Sequence, residues 1–146
     1  MKLEVYKPEK AMVALKECRT PAACLSSSTP ALSVLRKKNG EEAVLAALEA
    51  WILDMNEFVN VQRTMGPAQI KQTAVMILSD FYYFKIADIN LVFTRAKKGY
   101  FGDLYGSLDG MKIYRWFVDY DIERSQTAYM DNLKDHDITK SDEMRR

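Results

Sequence analysis

Apolar residues in this chain recur at intervals of three and four, the spacing that lines one face of an α-helix. The clearest stretch runs from Glu41 to about Gln62, where Val44, Leu48, Trp51, Met55 and Phe58 form a stripe that Leu45, Ile52 and Val59 widen. Glu41 and Glu42 fall in its first turn, where negative charge suits the helix dipole. After Met65-Gly66-Pro67 a second stripe of Ile70, Ala74, Ile77, Leu78 and Phe81 predicts a helix to about Tyr82, packed on the first as a hairpin. Ile86, Ile89, Phe93 and Ala96 mark a shorter helix that closes on Arg95-Ala96-Lys97-Lys98 and a glycine stop at Gly99. A long final helix begins near Asp109 with Ile113, Trp116, Phe117 and Tyr120 on one face, and extends to about Leu133.

The amino-terminal part is less regular. Pro8 to Arg19 reads as a helix ended by Thr20-Pro21, residues 20–28 as a loop, and Thr29-Pro30 as cap and first turn of a helix reaching Asn39-Gly40. Strand candidates are confined to Leu3 to Tyr6 and a few residues around Tyr100 to Tyr105, too few for a sheet with its own core. The expected fold class is all-α: a single compact domain of five or six helices, with helical hairpins and a long C-terminal helix. Its core spans about residues 8–135, followed by a frayed tail over 136–146. Trp51 and Trp116, each central to a stripe, are expected to be buried.

With 48% hydrophobic and 28% charged residues, the composition is that of a globular rather than a disordered chain. The first residues alternate charge with apolar side chains and contain no signal-peptide core. The longest uncharged stretch, Thr20 to Leu35, is too rich in serine, threonine and proline to span a membrane. Cys18 and Cys24 lack zinc-site spacing and read as free thiols of a reducing compartment, which predicts a cytoplasmic location. Net charge is +1, so no overall field draws in nucleic acid or an anionic membrane. Charge is nevertheless blocked: basic over 1–40 and 63–100, acidic over 41–62 and 101–146. Such blocks suit either opposite-sign helices attracting one another or a charged partner.

Several chemistries are removed by absence. One histidine, His136, cannot build a histidine-dependent triad or a multi-histidine metal site. No P-loop and no dinucleotide-binding glycine turn occurs, so no cofactor and no metal is expected. The acids Asp119, Asp121, Glu123, Asp131, Asp135 and Asp137 fall on several outward helix faces instead of converging. Arg124, by contrast, continues the apolar stripe seven residues after Phe117 and four after Tyr120, so its guanidinium needs a buried partner. Asp80 or Asp88 could supply one, with the arginine stem packed on Tyr120; the functional alternative is an anion-binding arginine.

The least ordinary segment is Tyr100-Phe101-Gly102-Asp103-Leu104-Tyr105-Gly106-Ser107, which alternates glycine with large side chains. Together with Arg95, Lys97 and Lys98 before it and Lys112 and Arg115 after it, Tyr100, Phe101 and Tyr105 form a basic-aromatic constellation. Single-stranded nucleic acid sites need that combination, cations for phosphates and rings for bases. Aromatics folded back onto the core beside a cationic helix end account for the same residues.

The run Ala87-Asp88-Ile89, Phe93-x-x-Ala96-Lys97-x-Gly99-x-Phe101-Gly102-x-Leu104-Tyr105-x-x-Leu108-Asp109-Gly110, Ile113-x-x-Trp116-Phe117 and Glu123-Arg124 resembles small proteins carried by Bacteroidetes prophages and conjugative elements, over residues 66–124. The resemblance implies a setting rather than an activity. A more distant similarity, in helical layout only, is to helical modules of phage helicase loaders and replication accessory proteins. The leading expectation is a non-enzymatic accessory protein binding a protein or nucleic acid partner. An enzyme with a histidine-free acid- or arginine-based site, and a protein that self-associates as a homodimer through its Trp51 or Trp116 helix, are the alternatives.

Overall fold

A computed structural model describes residues 3–144, and their side chains apart from 4, 5 and 137–144. After a 3-10 turn over Leu3–Tyr6 come seven helices: α1 (Pro8–Ala14), α2 (Pro21–Ser26), α3 (Leu32–Asn39), α4 (Glu41–Phe58), α5 (Pro67–Asp80), α6 (Ile86–Lys97) and α7 (Gly110–Met144). The fold is all-α; among the described residues backbone pairing outside helices is limited to two isolated bridges, Ala31 with Lys85 and Arg63 with Ser107. None of these helices is long and apolar enough to cross a membrane.

The periodic stripes meet in one buried cluster that takes side chains from all seven helices. Trp51 of α4 stacks on Phe93 of α6, Phe93 meets Phe117 of α7 edge-on, and Phe117 stacks on Phe84 just before α6. Trp51 and Trp116 are 1% and 5% exposed. Burying rings of this size stabilises by roughly 2 to 3 kcal/mol each on an area basis. The hairpin of α4 and α5 forms as its spacing predicts. Its connection is clamped by Asn56, whose amide both accepts from Met65 N and donates to Met65 O, so α4 stops at Phe58 rather than Gln62. At Gly110 the backbone of α7 comes so close to α5 that a Cβ would run into Thr73 Oγ1.

The amino-terminal part departs most from expectation. Residues 20–28 are not a loop: Thr20 accepts from Ala23 N and Pro21 opens α2, while α1 ends at Ala14, short of the expected Arg19, and not at the Thr20-Pro21 pair. The expected five or six helices are therefore seven. Thr29 does not cap the helix that follows it, because its hydroxyl accepts from Ala87 N at the start of α6. Leu32 N and Ser33 N donate to Phe84 O and Tyr82 O, and Ile86 N to Pro30 O, so the approaches to α3 and α6 zip together. Leu3–Tyr6 forms a turn rather than a strand, and α7 continues past Leu133 to Met144. The side chains of the expected loose tail beyond His136 lie outside the described residues.

Candidate functional site

Asp88, fully buried on the first turn of α6, organises the polar interior. Its Oδ2 accepts from Lys85 N at 2.8 Å and from Arg124 Nε at 3.2 Å, while Oδ1 accepts from the Tyr120 hydroxyl. Arg124 also donates to Tyr83 O and lies over the Tyr83 and Phe84 rings. Of the two aspartates weighed as its partner, Asp88 takes the guanidinium and Asp80 takes the Tyr114 hydroxyl. Burial, then the Asp88 charge, raises the Tyr120 pKa above its usual value. Burial likewise pushes Cys24 up to about 12. Cys18 and Cys24 are free thiols. Every oxygen of Asp88 is thus engaged away from solvent, where it fixes α6 to α7 rather than meeting a ligand.

The basic-aromatic constellation divides. Arg95 forms a two-pronged pair with Glu123 of α7 and lies over the Tyr100 ring at 4.4 Å. Lys97 pairs with Asp54 of α4 and sits over Phe58. Lys112 donates to Leu104 O, Ser107 O and Ser107 Oγ, pinning the loop after α6. Phe101 stacks on Trp116 with ring centroids 5.9 Å apart. That leaves Lys98, Tyr100, Tyr105 and Arg115 exposed. The loop starts as the glycine stop predicts: Gly99 at φ +78° allows Gly99 N to reach Ala96 O and Tyr100 N to reach Arg95 O. Tyr105, 90% exposed, holds φ +53°, a region a tyrosine rarely adopts.

Two surfaces escaped the sequence reading. Lys98 joins Lys16 and Arg19 around a cleft of about 280 Å³ between α6 and the turn after α1, floored by Leu15, Leu91 and Thr94. Larger is a groove of about 530 Å³ between α5 and α7, lined by Met76, Asp80, Met111, Tyr114, Arg115, Val118 and Asp119. It opens onto the outward face of α7, where Met111, Val118, Ile122, Tyr129 and Leu133 are all exposed. At 100° per residue these five fall within a sector of about 60°, directly opposite Ile113, Phe117 and Tyr120. From Tyr129 to His136 every side chain is exposed. The spacing of 11 residues between Met111, Ile122 and Leu133, and between Val118 and Tyr129, is the signal in the sequence that marks this second stripe.

Among the described residues no group of three or more His, Cys, Asp or Glu side chains is gathered to hold a metal ion. No curated protein and no solved structure matches the chain. A family model does match residues 64–142, which contain α5, α6, the glycine-aromatic loop and most of α7 with its outward stripe; the chain belongs to a family of unknown function, DUF6633.

Proposed function

We propose that this is a non-enzymatic helical binding protein whose docking surface is the outward face of α7 and the adjoining α5–α7 groove. One observation carries the reading: an apolar stripe on the side of α7 turned away from its own core, continuing onto a segment, Tyr129 to His136, in which every side chain is exposed. Exposed contiguous apolar surface marks interaction sites. The engagement of Asp88, Arg124, Tyr120, Arg95 and Lys97 in contacts within the fold supports binding over catalysis. The resemblance of residues 66–124 to proteins of Bacteroidetes prophages and conjugative elements supports a mobile-element setting, with replication or its control as the process served and the cytoplasm as the place. The test is capture from native host extract by the wild-type chain and by Ile122→Glu. Proteins retained by the first and lost by the second are expected; identical recovery would remove the docking surface.

A nucleic acid partner is the second reading, favoured by the exposure of Lys16, Arg19 and Lys98 around one cleft beside the half-exposed Tyr100 ring. Replacing the three cations by glutamine should then lower the salt slope of oligonucleotide binding by about 0.7 per lost single-strand contact. An unchanged slope, or no binding at low salt, would end that reading.

A further inference from the structure

We infer that the occupant of the α7 surface is a second copy of this chain, laid antiparallel across a two-fold axis at Ile122. This rests on the reading of α7 as a docking surface and names its partner. Three of the five stripe positions, Met111, Ile122 and Leu133, meet one another under that symmetry. In an antiparallel pair centred on Ile122, residue i faces residue 244 minus i, so Met111 meets Leu133 at both ends and Ile122 meets itself. Val118 meets Gln126, and Arg115 meets Tyr129, a guanidinium against an aromatic ring. The 11-residue repeat keeps the stripe on one side of the helix over about 33 Å, from Met111 to Leu133, with a drift of about 20° per repeat.

Shape agrees with the same partner. The last part of α7 carries Tyr129 and Leu133 exposed, and the symmetry places it along the groove bordered by Met76, Met111, Arg115 and Val118 of the other copy. Each copy thus supplies one exposed end and one groove, which closes the assembly at two. One like-charge approach falls beside the axis, Asp121 facing Glu123; Glu123 is paired with Arg95 inside its own chain, whereas Asp121 accepts only a neutral hydroxyl, from Tyr83, so this approach counts against the pairing. Asp119 faces Ser125. One helical stripe and two groove contacts make a small interface, so the pairing belongs to the concentration-dependent, micromolar class.

Sedimentation velocity of the full chain from low to several hundred micromolar should show the mass rising from one chain to two. Ile122→Glu, on an exposed position and checked for unchanged helicity by circular dichroism, should raise the dissociation constant at least tenfold. With Cys18→Ser as background, Ile122→Cys should form an interchain disulfide under oxidised glutathione, while Ser125→Cys, displaced from the axis, cross-links far more slowly. A wild-type chain that stays monomeric, a dimer indifferent to Ile122→Glu, or equal cross-linking at both positions overturns the inference. If the chain is monomeric yet Ile122→Glu loses a host protein that the wild type retains, the self-pairing fails and the docking surface stands. If Ile122→Glu changes neither measurement, both fail.

Discussion

Replacing Asp88 by asparagine should be among the most damaging single changes in the protein. Three donors converge on its two oxygens: Lys85 N, Arg124 Nε and the Tyr120 hydroxyl. Asparagine offers one oxygen, and its NH2 group must then point a donor at another donor. The Arg124 guanidinium, whose side chain is 12% exposed, also loses its counter-charge in an environment of Tyr83 and Phe84 rings. Removing one partner of a buried pair costs about 3 to 5 kcal/mol because the other charge stays behind. For a domain of this size each kcal/mol lowers the melting temperature by roughly 2 to 4 °C, so Asp88→Asn should lose on the order of 10 °C. Arg124→Met should cost a similar amount, now through an unpaired carboxylate. Urea unfolding of both single variants and the double variant should therefore give a double change smaller than the sum by at least about 1 kcal/mol. A loss below about 1 kcal/mol for Asp88→Asn, or strict additivity, would show that Asp88 does not tie α6 to α7.

Gly110→Ala should destabilise by about 1 to 3 kcal/mol, through the clash with Thr73 Oγ1; partial rescue by Thr73→Ala in the same urea assay is the check, and no rescue would place the cost elsewhere. Stability should fall as pH rises above about 9. Cys24 and Tyr120 have raised pKa values in the fold, so only the unfolded chain releases these protons there, costing about 1.4 kcal/mol per pH unit for each such group. Urea midpoints that stay level from about pH 8 to about pH 11 would contradict this. Phe101→Ala, which removes the ring stacked on Trp116, should lower the melting temperature, whereas Lys98→Gln should leave it unchanged within about 0.5 kcal/mol; thermal melts of the two variants decide.

The long helices were legible because their apolar spacing is a local property: Val44 to Met55, Ile70 to Phe81 and Ile113 to Tyr120 all turn inward as the period requires. The helix α2 was not, since six residues are too few to show a period and its Thr20-Pro21 start reads equally well as the end of a preceding helix, which in the fold stops at Ala14. Thr29 shows a related limit, for a capping hydroxyl can serve a helix 58 residues away, at Ala87, instead of its own. The charges of Arg95 and Lys97 are taken up by Glu123 and Asp54, partners that only the tertiary fold brings near. Phe58 belongs to the α4 stripe by spacing yet stays exposed, beneath the Lys97 ammonium, because α4 ends there and the chain turns away. The outward stripe of α7 was present in the sequence as an 11-residue repeat, masked by the stronger inward stripe on the same helix.

Amide hydrogen exchange, followed peptide by peptide at low and at high protein concentration, tests the docking role of α7 and its occupant together. The account predicts that added protection at high concentration falls on residues 111–133 and on the flank of α5 that carries Met76, and that Ile122→Glu abolishes it. Protection confined instead to the loop 99–107 or to the cleft of Lys16, Arg19 and Lys98, or protection over α7 that survives Ile122→Glu, would contradict it.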